Sequence, residues 1–257
     1  MLKKSNLGCF IKGNCLNSFL YADDLILLSI SLSDLQSLVN CCITVLDDLD
    51  FQINSVKSVC LRIGPRFRSP CLPVMVGNQP LIWADEFTYL GVVFKGGKKL
   101  TFNWKLARGS FYKAVNSIFG TLGSNPNISV LISLARSRCI PILSYGIESL
   151  SLTNSDISTF SFAYNCIFFK LFHCKDPGVI LNCQFYCSVL PFQALYDYLR
   201  YNFLLSVFGY NLFSVNNPFY EDDYKDFAAI AAKYHFSAID SRCNIKHKIW
   251  SFIESSL

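Results

Sequence analysis

Two adjacent aspartates sit between two apolar runs, and this pattern constrains the first third of the chain more than any other. Phe19-Leu20-Tyr21 leads into Ala22-Asp23-Asp24, and Leu25 to Ile30 resumes the apolar character. Carboxylates inside one continuous central strand are costly to desolvate. The pair therefore belongs at the tip of a tight hairpin, whose backbone aspartate also suits. Upstream, Leu7 to Ile11 reads as a short strand, Lys12-Gly13-Asn14 as a turn and Cys15 to Tyr21 as the next strand.

A helix follows. Leu35, Leu38, Val39, Cys42, Val45, Leu46 and Leu49 form one apolar stripe at helical spacing, and Ser33 with Gln36 matches a capping box. Asp47, Asp48 and Asp50 crowd its end, where the helix dipole disfavours anions, so they are expected in solvent. Val59 to Ile63, Val74 to Val76, Leu81 to Trp83 and Tyr89 to Phe94 read as strands, with Gly77-Asn78 as a hairpin turn. After Leu100 the pattern turns helical: 102–119, 128–140, 156–172, a segment opened by Pro191 and running to Val207, then 224–236 and 245–256. Gly120, Gly123, Asn125-Pro126 and Pro141 act as breakers.

Charged residues make up 16% of the chain and apolar ones 52%, which excludes a disordered chain or a solvated coiled coil. The longest apolar candidate, 203–215, is interrupted by Ser206, Gly209 and Asn211. With no secretory signal at the start, the expectation is an intracellular protein that does not cross a membrane. Twelve cysteines without CxxC spacing read as free thiols. His173, Cys174, Cys183 and Cys187 match no common zinc pattern, which favours buried thiols over a metal site. Between Lys57 and Lys113 lie ten basic residues, against Asp85 and Glu86 alone, in a chain of net charge +5. Nine aromatic residues are interleaved with them. Cations for phosphates and rings for stacking suit a nucleic-acid groove; a solvated loop face is the other reading.

The order Tyr21-x-Asp23-Asp24, amphipathic helix, Asn54 and Lys57, then Tyr89-Leu90-Gly91 resembles the second half of a reverse transcriptase of non-LTR (LINE-like, Jockey-type) retrotransposons. The resemblance is strong over residues 7–95, moderate to about 172 and thin beyond. It implies an α+β fold. Residues 1–100 would form a partial palm of antiparallel strands plus one packed helix, 101–175 a helical thumb-like region and 176–257 a helical C-terminal region. By the same resemblance Asp23 and Asp24 hold Mg2+, and Lys57 protonates the leaving pyrophosphate. Tyr21, Tyr89, Leu90, Gly91, Lys98, Lys99, Lys105 and Arg108 would contact an RNA template and a DNA primer.

One departure bears on activity. In that family a further aspartate on an earlier palm strand closes the metal clamp, whereas here no acidic residue precedes Asp23. The expectation is a fragment of an RNA-directed DNA polymerase, from a truncated element or a partial gene model, inactive alone and with an exposed sheet edge beside the hairpin. A non-catalytic nucleic-acid-binding or structural remnant, and half of a polymerase completed by another chain, stay open as alternatives.

Overall fold

A computed structural model describes residues 7–11, 13–123, 127–209, 220–237 and 240–255. Lys12 of the first turn, the Asn125-Pro126 breaker, residues 210–215 of the apolar run and Ser256 lie outside them. The fold is α+β, in two compact units, 1–104 and 105–257.

The first unit holds the strands. β1 (Cys9–Ile11) pairs antiparallel with β2 (Asn14–Leu16), and β3 (Ser18–Tyr21) with β4 (Asp24–Leu27). The expected strand from Cys15 to Tyr21 is therefore two strands, parted at Asn17. That side chain is buried and turns away to donate to the Leu7 carbonyl at 3.2 Å, and it accepts from the Ser18 hydroxyl at 3.1 Å. Gly8 permits this close approach: its φ is +115°, and a Cβ there would lie 2.4 Å from that of Asn17. β4 also ends at Leu27, short of the expected Ile30, which is exposed.

Helix α1 (Leu32–Asp47) starts one residue before the expected cap, Ser33. Ser31, not Ser33, caps it by accepting from the Asp34 amide at 3.1 Å. Gln36 has a longer-range partner than a capping box supplies. Its side-chain amide accepts from the Met75 N–H at 2.7 Å and donates to the Met75 carbonyl at 2.8 Å, as a strand neighbour would. Leu38, Val39 and Cys42 are buried along the predicted stripe, but Leu49 lies beyond the helix and is exposed, as are Asp47, Asp48 and Asp50.

Behind α1 the core gathers Val39, Cys60, Val74 and Leu81. β5 (Val59–Leu61) pairs parallel with β8 (Ile82–Ala84), while β6 (Met75–Val76) and β7 (Gln79–Pro80) form the hairpin around Gly77-Asn78. The return arm is thus 79–80, and Ile82–Ala84 leaves the hairpin for β5. Burial pushes the Cys60 thiol up to about 11, so it stays protonated at neutral pH and packs as a small apolar group.

Tyr89 to Phe94 is not one strand. β9 (Glu86–Tyr89) turns at Leu90-Gly91 into β10 (Val92–Lys95), which also pairs with β11 (Thr101–Phe102). Both turn residues have positive φ, +47° and +78°, as a two-residue type I′ turn requires. The ring of Phe94 stacks on Phe87 at 5.4 Å and meets Phe102 edge-on at 5.3 Å, fixing the three-stranded sheet.

The second unit is helical. α2 (Lys105–Leu122) is followed by α3 (Ile128–Leu134), a π-helical stretch Ala135–Cys139 and α4 (Ile140–Ser144). Pro141 does not break this run as expected. Proline lacks an N–H and crowds the carbonyl four residues back, and the widened turn just before it absorbs both effects. α5 (Asn154–Phe172) carries a full capping box at Thr153 and Asp156. α6 (Pro177–Tyr186) fills a segment the sequence pattern leaves unassigned, with Asp176 as its cap. α7 (Phe192–Gly209), α8 (Tyr220–Tyr234) and α9 (Arg242–Glu254) complete the unit. Ile245, Ile249 and Ile253 of α9 fall on one face and pack with Ala194 and Tyr201 of α7 and Tyr234 of α8. Each such isoleucine contributes roughly 1.5–3 kcal/mol of hydrophobic burial.

Charge also locks α8 to α7. Arg200, 1% exposed, donates to Asp223 at 2.5 Å and to Asp226 at 3.1 Å. It also donates to the Ser151 hydroxyl and the Glu148 carbonyl, both at 3.2 Å. Asp197, also buried, accepts from Lys233 and from the Tyr234 hydroxyl, each at 2.7 Å.

Candidate functional site

The β3–β4 hairpin presents the acidic pair. Tyr21 pairs with Asp24, so Ala22 and Asp23 form a two-residue turn. Asp23 is at its tip, and Asp24 is the first residue of the return strand rather than part of the turn. Both are exposed. Among the described residues neither forms an ion pair, and no three His, Cys, Asp or Glu side chains gather where a metal ion could be held. That statement also covers Cys174, Cys183 and Cys187, whose latter two thiols are pushed up by burial and by neighbouring cysteines.

Ala22 has φ +52°, in the left-handed region that side chains with a Cβ avoid. A two-residue hairpin of this twist needs positive φ at its first turn residue, and glycine is the usual occupant. Ala22→Gly should therefore stabilise the first unit by about 1 kcal/mol, read as a higher urea midpoint with an unchanged slope. A lower midpoint would mean that the turn carries no strain.

The ribbon behind the turn is apolar on its outer surface. Phe19, Leu20, Tyr21 and Leu25 are 46%, 72%, 61% and 38% exposed. Among the described residues β3–β4 is a two-stranded sheet of its own, so its outer edges pair with no other strand.

Lys57 is exposed and follows an Asx turn, in which the Asn54 side chain accepts from the Val56 and Lys57 amides, both at 3.1 Å. No ion pair joins Lys57 to Asp23 or Asp24 among the described residues. Tyr89, Leu90 and Gly91 come together at the tip of the β9–β10 hairpin, where the Tyr89 ring meets Phe94 edge-on at 6.3 Å. Lys98 and Lys99 are exposed in the loop that follows. Lys105 and Arg108 start α2, in the second unit. Lys105 is exposed, while Arg108 is half-buried with its Nε lacking a hydrogen-bond partner.

Trp83, half-buried, packs against the core behind α1 and donates its indole N–H to the Leu72 carbonyl at 3.1 Å. Arg62, one of the ten basic residues between Lys57 and Lys113, has a structural role that its charge does not reveal. It donates to the Ser69 carbonyl at 2.6 Å and so ties down the arginine-rich turn after β5.

No protein-family model, curated protein or solved structure matches the chain. Among the described residues no helix is long and apolar enough to cross a membrane.

Proposed function

We propose that this chain carries the Tyr-x-Asp-Asp portion of a non-LTR retrotransposon reverse transcriptase. It would bind an RNA template and a DNA primer through its basic, aromatic-rich stretch and would not polymerise alone. One observation carries this reading: the aspartates cap an exposed β-hairpin that leads directly into an amphipathic helix.

Magnesium takes about six hard oxygen ligands in octahedral geometry, so carboxylates are the right kind of donor. Two at one hairpin tip are too few to clamp the pair of ions that phosphoryl transfer of this class uses. The donor set therefore fits the ion in kind and not in number, and a working site needs a carboxylate from beyond these residues. Asp23 and Asp24 would each offer oxygens from the tip. Lys57 would supply a proton only if a bound strand brought the leaving group to it.

The test is binding of a labelled RNA–DNA template–primer between 50 and 200 mM salt, with and without Mn2+. About four neutralised phosphates would weaken binding roughly 100-fold over that range. Mn2+ should tighten binding by the wild type and not by Asp23→Ala. Salt-independent or absent binding would overturn the proposal. Identical Mn2+ responses in the two proteins would leave a nucleic-acid-binding remnant with a solvated turn.

A further inference from the structure

The first unit contains an open pocket of about 230 Å3, lined by residues from four separate pieces of chain. Arg62 comes from the end of β5 and Phe67, Ser69 and Cys71 from the following turn. Trp83 and Asp85 come from β8 and its exit, and Gly96 from the end of β10. Gly96 brings these pieces together. Its N–H donates to the Asp85 carbonyl at 2.8 Å, and a Cβ on it would lie 2.7 Å from the Arg62 carbonyl. The indole N–H of Trp83, bonded to the Leu72 carbonyl, and the guanidinium of Arg62, bonded to the Ser69 carbonyl, hold two of the walls in place.

The lining has an unusual chemistry for so small a space. Two ring-bearing walls, Trp83 and Phe67, accompany one cation and one carboxylate. Arg62 and Asp85 are not ion-paired with each other, nor with any other described residue. The Arg68 guanidinium lies over the Phe67 ring, 5.1 Å from its centroid, and Arg66 is exposed on the same turn. Neither of these arginines is ion-paired among the described residues.

A nucleobase has a flat π-face for the rings and an edge with both donors and acceptors, which suits a guanidinium and a carboxylate that do not neutralise each other. A phosphate on the same nucleotide suits the arginines of the turn. The volume lies below the roughly 300–1,000 Å3 of sites for drug-sized ligands, so one base fits better than a whole cofactor.

We infer that this pocket receives one unpaired nucleobase of a single-stranded nucleic acid, with Arg66 and Arg68 on its backbone. The inference rests on the nucleic-acid-binding part of the function proposed above. It adds a site remote in sequence from the acidic turn and specific for an unstacked base.

The probe is a short oligodeoxyuridine carrying one 5-bromodeoxyuridine, irradiated with the full chain, and the crosslinked peptide is identified by mass spectrometry. Crosslinks should fall on the segments around Phe67 and Trp83, and the same bromo base held in a duplex should give none. Ser69→Trp, a change at an exposed position, should fill the mouth and lower both crosslink yield and single-strand affinity about tenfold, with duplex affinity unchanged. Crosslinks confined to other segments, or a yield unaffected by Ser69→Trp, would overturn the pocket while leaving salt-dependent binding in place. Absence of all strand binding by the unaltered chain, single or duplex, would overturn both proposals. A free uridine monophosphate that competes as well as the strand would show a mononucleotide site and also overturn the strand assignment.

Discussion

Arg200→Ala is expected to destabilise the second unit by about 3 kcal/mol. Breaking a buried ion pair by deleting one partner costs roughly 3–5 kcal/mol, because the remaining charge is left uncompensated. The lower end applies here. Asp223 and Asp226 have side chains 23% and 39% exposed, so water recovers part of what the guanidinium supplied. The loss also strands the Glu148 carbonyl and opens a void where the stem of a fully buried side chain lay. For a unit of this size the shift in thermal midpoint is about 6–12 °C. Arg200→Lys should recover less than half of it, since an ammonium cannot reach two carboxylates, a hydroxyl and a carbonyl from one planar fork. The check is thermal unfolding followed by circular dichroism. A change in midpoint under about 2 °C for Arg200→Ala would mean that α8 is held by its apolar face alone.

Phe160→Ala is expected to cost more, about 4 kcal/mol. Phe160 is wholly buried on α5, and its ring stacks on Phe192 at the start of α7, with centroids 5.2 Å apart and planes 11° from parallel. Tyr164, one turn further along, meets the same Phe192 ring at 5.8 Å and donates to the Leu190 carbonyl at 2.9 Å. Removing the Phe160 ring leaves a cavity those neighbours cannot close, because the hydrogen bond pins Tyr164 in place. Phenylalanine-to-alanine changes in such sites cost about 3–5 kcal/mol. Denaturant titrations of Phe160→Ala, Phe192→Ala and the double variant should give a coupling of about 0.5–1.5 kcal/mol for the stacked pair. Additive effects would show that the rings fill space independently.

Local patterns carried most of what the sequence makes legible. The stripe of α1 reads directly because its residues share a face, and the acidic pair reads as a turn because no buried strand tolerates it. The α1 cap falls at Ser31 rather than Ser33, two serines equivalent in local pattern. The choice between them is settled 39 residues away, where Met75 engages Gln36. Leu90 hid a hairpin because leucine is a poor resident of the left-handed region, and only the pairing of β9 with β10 makes that conformation worthwhile. Pro177 and Pro141 resemble breakers in a string of letters. The first stands in an opening turn, where its missing N–H is harmless, and the second is accommodated by a π turn. The nucleobase pocket was illegible for a different reason: its walls meet only after four segments are folded together. At the hairpin itself, the sequence shows the residue types and the turn, and among the described residues no third His, Cys, Asp or Glu side chain gathers with the pair.

The ribbon Ser18–Leu27 has one further property. Its only charges are Asp23 and Asp24, at one end of a ladder whose outer edges pair with no other strand among the described residues and whose side chains are largely apolar. Such a ribbon is a template for copies of itself, and a carboxylate at its end acts as a gatekeeper by repelling the next copy. The same two groups that would attract a cation thus also place like charge where two such tips would meet, and a divalent ion bridging them would cancel that repulsion.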